Sequence, residues 1–217
     1  MELKYKVRKA KSLDDTSSLT EGTGTIRWQN LGQQYRINTA AKILFLTLFS
    51  SQSEGEITES GIAPLLYTKT NPKATTNTHF QRARNVISFS ASTREYPRTE
   101  GAQDQSSMIF QLAAIGLGNS EQISDDNLIE FVVASHRDAE PWQFRVLGLE
   151  KTRLENKEGL TWHLQRAPAA GSFSSKFDIW LSPAHHWAPV HIMQTDSDGS
   201  VTEMSMSQFT LTESEKK

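Results

Sequence analysis

The chain has 217 residues, with 23 Lys and Arg set against 25 Asp and Glu, a net charge of −2 and no cysteine. That length buries an adequate core without staples. The even charge balance argues against a dedicated nucleic-acid binder, which carries clustered basic residues, and the missing cysteines exclude disulfides, thiolate metal centres and a cysteine nucleophile. From the amino end, Leu3, Tyr5 and Val7 alternate with Lys4, Lys6 and Arg8, the period-2 signature of a strand with one buried face. The basic row Lys4, Lys6, Arg8, Lys9 and Lys11 reads first as a solvated strand face, an edge guarded by lysines. An anionic-lipid patch is the second reading. A polar loop leads to GTIRWQN, with Ile26 and Trp28 on one face, and YRINTAAKI follows a turn at Gly32.

The run ILFLTLF, Ile43–Phe49, is next. It is far short of the roughly 20 residues a membrane-spanning helix needs, so no transmembrane segment is expected. Read as one strand, it points Ile43, Phe45 and Phe49 one way and Leu44, Leu46 and Leu48 the other. A strand apolar on both faces asks for cover on both. A helix supplies one cover; more protein, a bound lipid or a partner surface supplies the other. LLYTKTN, TNTHFQRAR and NVISFSAS continue the β pattern, the last with Ile87, Phe89 and Ala91 on one face.

DQSSMIFQLAAIGLG breaks that pattern. It predicts a helix capped near Asp104 or Ser106 and ending at Gly116 or Gly118, with Met108, Ile109, Leu112 and Ala113 on a packing stripe. Strands resume in LIEFVVAS, WQFRVLGLEKTRLE, LTWHLQRA, KFDIWLS, PVHIMQT and VTEMSMSQFTL, with turns expected at Lys157–Gly159 and Asp196–Gly199. The tail 212–217 is expected to fray. Ten or more short strands with one helix predict a mainly β domain over 1–217. Its architecture is one large curved antiparallel sheet or open barrel, a meander, with the helix at its mouth or concave face.

Three inner-face sets stand out: Trp142, Phe144 and Val146; Leu160, Trp162 and Leu164; Phe177, Ile179 and Leu181. Aromatics projecting into a curled sheet either fill a core or line a pocket for an apolar ligand. On the pocket reading, Phe45, Phe49, Trp142, Phe144, Trp162 and Leu164 are the ligand-binding candidates. Metal binding is not expected. His185 and His186 are adjacent, which on a strand places them on opposite faces, and no zinc-type spacing accompanies them. Asp104, Ser106, Ser107 and the histidines supply triad residue types without a nucleophile elbow, and serines at a helix start serve as caps. No catalytic residue, phosphate loop or cofactor motif is assigned.

Four segments carry a family resemblance: Ser53–Asn71, Gly101–Ala113, Gly148–Pro168 and Phe177–Met204. Within them lie the turn Gly61-Ile62-Ala63-Pro64 and the helix start Gln103-Asp104 with Ser107. The turn Trp180-Leu181-Ser182-Pro183 and the pair Pro189-Val190 complete the set. In order and content they resemble the bacterial exported proteins grouped as domain-of-unknown-function family 3108, over roughly Gly24 to Phe209. The resemblance implies a curved, mostly antiparallel sheet reminiscent of periplasmic lipoprotein carriers. It implies a periplasmic or envelope location, although no export signal is visible in this chain. No catalytic residues come with it; Pro64 and Pro183 are expected to fix turns, and Asp104 to cap the helix. The expected role is therefore a non-catalytic envelope protein that binds an apolar or lipid-like ligand. An envelope interaction module is the alternative, a hydrolase the remote one, and peripheral membrane contact is compatible with the first two.

Overall fold

The structure, a computed structural model, describes all residues except 13, 15–16, 44–45, 155–156, 169–173 and 213–217. Among the described residues there are fifteen strands and one α-helix. The first arm holds β1 (Glu2–Ala10), β2 (Thr20–Asn30), β3 (Gln34–Ile43), β4 (Leu46–Thr58), β5 (Gly61–Asn71), β6 (Ala74–Gln81), β7 (Val86–Phe89) and β8 (Ser92–Pro97). After the short β9 (Gln103–Asp104) comes α1 (Ser107–Gly118). The second arm holds β10 (Leu128–Ala134), β11 (Ala139–Leu154), β12 (Lys157–Arg166), β13 (Lys176–Ser182), β14 (Ala188–Thr195) and β15 (Val201–Thr210).

All fifteen strands belong to one sheet, ordered β8-β7-β6-β5-β4-β3-β2-β1-β15-β14-β13-β12-β11-β10-β9. Each arm is a meander of hairpins, as short polar connections dictate. The β14–β15 turn shows the local chemistry. Asp198 Oδ1 accepts the Ser200 N–H at 2.9 Å, and Gly199 takes a φ of +85°, where a side chain would be strained. The arms are joined by β1 pairing with β15, from Glu2↔Thr210 to Ala10↔Val201. Neighbours are antiparallel throughout, except that β9 runs parallel to β10.

Alternation sends Leu3, Tyr5, Val7, Ile26, Ile37, Phe144, Val146, Leu164, Ile179, Leu181 and Ile192 to one buried face. That face curls around α1, whose Met108, Ile109, Phe110, Leu112 and Ala113 are all buried in the same core. Burying each such side chain stabilises the fold by about 1.5–3 kcal/mol. Trp28 stacks between Tyr35, centroids 5.3 Å apart, and Phe110, 5.1 Å apart, tying two strands to the helix. The sheet's ends approach without laddering: Gln103 Nε2 donates to the Ile62 carbonyl at 2.7 Å, and the Thr78 hydroxyl to the Ser135 carbonyl at 2.7 Å. The result is an open barrel with its helix inside, as the strand pattern predicts.

Four local expectations are corrected. Ile43 ends β3 and pairs with Leu46, which opens β4, so the apolar run is divided between two strands instead of forming one. Leu46 is 75% exposed, while Leu44 and Phe45 lie outside the described residues. Lys157–Gly159 is strand, because Leu154 already pairs with Lys157; glycine and charge there mimic a turn. The lysines of β1 project from a central strand with a neighbour on each side, not from an edge. His185 closes a turn of 3₁₀ helix and His186 has a φ of +55°, so strand alternation does not apply to that pair. In addition, Ala91 falls in the turn after β7 rather than on its buried face.

Candidate functional site

The helix is set in place by a buried polar lock. Asp104, at the end of β9, accepts the N–H groups of Ser106 and Ser107 on Oδ1, each at 2.8 Å. These are donors that a helix start leaves unpaired. Its Oδ2 accepts the Ser53 hydroxyl at 2.5 Å, and Ser53 shares a hydrogen bond of 2.9 Å with Tyr35. The Ser51 and Ser106 hydroxyls pair at 3.0 Å. Asp104 is therefore the cap the sequence suggested, acting from three residues ahead of Ser107, where the helix begins. Burial pushes its carboxyl up to about 6, against the downward pull of its hydrogen bonds. Burial likewise raises the phenols of Tyr35 and Tyr67 well above their ordinary value.

Beside this lock, between the first turn of α1 and the concave face, lies a cavity of about 270 Å³. Its lining mixes apolar side chains, among them Ile26, Phe49, Ile109, Phe110, Phe177, Ile192 and Met204, with polar ones, among them Lys9, Lys69, Gln105, Gln194 and Asp196. The volume equals about nine waters at ~30 Å³ each and falls just below the ~300–1,000 Å³ of small-molecule sites. Apolar and charged side chains together suit an amphipathic ligand. Lys69 sits on β5 opposite Ser51 and Thr76, and donates to Gln105 Oε1 at 3.4 Å. Burial lowers its pKa, while Asp196 raises it. A wider groove of about 460 Å³, lined by Thr25, Arg27, Asn38, Gln52, Thr68 and Thr70 among others, has no aromatic or branched aliphatic side chain on its wall.

Of the residues singled out from the sequence, Phe49 is on the cavity wall. Phe144 and Leu164 are fully buried in the core. Trp142 is buried against Phe177, centroids 5.0 Å apart, with the Arg166 guanidinium 4.5 Å from its ring. Trp162 is half-buried at the margin of the core, and Phe45 lies outside the described residues. Periodicity identified the inner face, but not which stretch of it α1 would cover. The polar members Lys9, Lys69, Gln105 and Asp196 were missed. Lys69 left one usable signal: it follows Tyr67 at the buried parity of β5, where a lysine is out of place.

A second polar cluster sits on the opposite face of β12–β15. His163 stacks on Trp180, centroids 4.1 Å apart, and hydrogen-bonds Asp178 Oδ1 at 2.9 Å; the Trp180 indole N–H donates to Glu150. Burial pushes the Asp178 carboxyl up, but hydrogen bonds from His163, Gln165 and Lys176 outweigh it and hold the pKa low. His191 Nδ1 lies 3.1 Å from the Ser205 hydroxyl and Nε2 3.4 Å from Glu203. This is a hydroxyl–imidazole–carboxylate row. Ser205, however, is mid-strand, paired with Lys6 on one side and His191 on the other, so no pair of free backbone N–H groups adjoins it as an oxyanion hole. Among the described residues, no group of three or more His, Asp or Glu is placed to hold a metal ion, and no helix is long and apolar enough to cross a membrane.

A family model described as "Protein of unknown function (DUF3108)" matches residues 4–206. No curated protein matches the chain.

Proposed function

For a chain that belongs to the DUF3108 family of proteins of unknown function, the role has to be read from its own surfaces, and we propose that it is a non-catalytic, ligand-holding protein of the bacterial periplasm or cell envelope. It binds an amphipathic, lipid-like molecule in the cavity beside α1. The observation that carries this reading is the mixed lining of that cavity: apolar side chains such as Phe49, Ile109, Phe110, Phe177, Ile192 and Met204 beside two lysines, two glutamines and an aspartate. Apolar side chains combined with polar groups that fix orientation are the ordinary lining of a small-molecule site. The envelope location rests on the exported character of the proteins this sequence resembles. The absence of catalysis rests on Ser205, whose triad-like contacts lack an electrophilic partner.

The volume sets a limit on the ligand. Space for about nine water-sized groups, at ~30 Å³ each, accommodates one short chain segment and excludes burying a whole two-chain phospholipid. The test is native mass spectrometry of the purified protein, together with fluorescence titration by single-chain amphiphiles. A bound amphiphile in the spectrum, and loss of titratable binding in Phe49→Asp, is the expected result. Phe49 is half-buried, so the charge spoils the apolar lining without entering the core. A protein that carries no amphiphile and takes none up in titration would overturn the proposal.

A further inference from the structure

Lys69 holds an ammonium group that the protein leaves under-used. The side chain is on the concave side of β5, two residues beyond buried Tyr67, and faces the cavity. An ammonium has three donors. Here one long bond, 3.4 Å to Gln105 Oε1, is the hydrogen bond it makes among the described residues, and no carboxylate oxygen of theirs lies within 4 Å of it. Asp196, the acidic residue lining the same cavity, is already engaged. Its Oδ1 accepts from the Ser175 hydroxyl at 2.6 Å and from Gln194 Nε2 at 2.7 Å, and its Oδ2 from the Ser200 hydroxyl at 3.4 Å. With Lys9 and Lys69 against Asp196, the cavity wall carries two cations and one anion, a net charge of +1.

We infer that the ligand's head group is a carboxylate, bound at Lys69, and that the cavity selects single-chain carboxylate amphiphiles of the medium-chain fatty-acid type over neutral or cationic amphiphiles of equal length. This rests on the proposed ligand-holding role and narrows it. The net charge of +1 is neutralised by one singly charged head. An ammonium removed from water and offered no anion is costly, and a charge-assisted bond to a carboxylate relieves that cost. The lowering of the Lys69 pKa by burial agrees with this picture. A chain leaving the head group then lies along Phe49, Ile109, Phe110 and Met204, which line the same cavity.

The test titrates the full chain with decanoate, decanol, decyltrimethylammonium and decyl phosphate, each below its micelle concentration. The same series is run on Lys69→Met, which keeps an unbranched four-atom stem and removes the ammonium, and on Lys69→Arg, which preserves charge. Circular dichroism and thermal melting establish that the variants fold. Decanoate should bind about tenfold or more tighter than decanol, in line with a hydrogen bond to a charged group. Decyltrimethylammonium should bind weakest, and decyl phosphate no tighter than decanoate. Lys69→Met should abolish the preference for decanoate over decanol, and Lys69→Arg should retain it. Equal binding of decanoate and decanol, a preference that survives in Lys69→Met, or tighter binding of decyl phosphate would overturn the inference while leaving the ligand-holding role intact. Binding of none of the four would overturn that role itself.

Discussion

At the scale of single residues, Asp104 concentrates the chemistry that places the helix. Replacing it with alanine strands two buried N–H groups at about 1–3 kcal/mol each, so Asp104→Ala should lower stability by roughly 2–6 kcal/mol in denaturant titration. Asparagine is different. Its amide oxygen accepts the same two N–H groups, and its NH₂ faces Ser53 as a protonated carboxyl would. The folded-state pKa of Asp104, about 6, lies above its ordinary value of 3.8. Its protonation therefore contributes stability that is full below pH ~4 and lost as pH rises through ~6. Melting temperatures measured from pH 4 to 7 should show this component in the wild type and lack it in Asp104→Asn. Identical profiles for the two proteins would remove the argument. The capping role of Asp104 was legible in the sequence because helix starts demand such residues. Its bond to Ser53 was not, because the partner is 51 positions away.

At the scale of elements, α1 departs from an ordinary surface helix. It is buried on most sides, so a stripe of four apolar positions understates it: Phe110 and Gly116 are buried as well. Of the two glycines the sequence offers as helix ends, Gly118 is the one, while Gly116 lies inside the helix. The reason for glycine is Trp187, whose ring would lie 2.3 Å from a Cβ at that position. Alanine normally favours a helix over glycine by about 1 kcal/mol. Here overpacking of about 1–3 kcal/mol should reverse the sign, so Gly116→Ala is expected to lower the melting temperature. A rise would show that Trp187 yields easily. The strands were the most legible elements, since Leu3, Tyr5 and Val7 or Phe177, Ile179 and Leu181 alternate cleanly into the core. The division of Ile43–Phe49 between two strands was hidden, because a run of apolar residues carries no turn signal.

At the scale of the whole molecule, hairpin order was readable but the join between the arms was not. Nothing local in Leu3-Lys4-Tyr5 announces that its partner is Phe209-Gln208-Met206. The lysines of β1 even imitate an edge strand, the opposite of its central position. That position has a measurable effect. Amides of β1 and β15 are laddered on both sides and should exchange with solvent only on global unfolding, whereas those of β8, at the sheet margin, should exchange by local opening. Hydrogen exchange resolved by fragment reads this directly; equal protection of β1 and β8 would contradict it.

The same join governs how the chain acquires its shape. Every other antiparallel pairing closes a loop between consecutive strands, so each arm can zip from its own turns within microseconds per hairpin. The β1–β15 pairing spans nearly the entire polypeptide and must wait until both arms exist. Long-range closure of this kind slows folding. Until it happens, β1 and β15 each present a bare rim of donors and acceptors at what will become the middle of the sheet. The step that completes the molecule is thus also the one during which it is most open to pairing with another copy of itself.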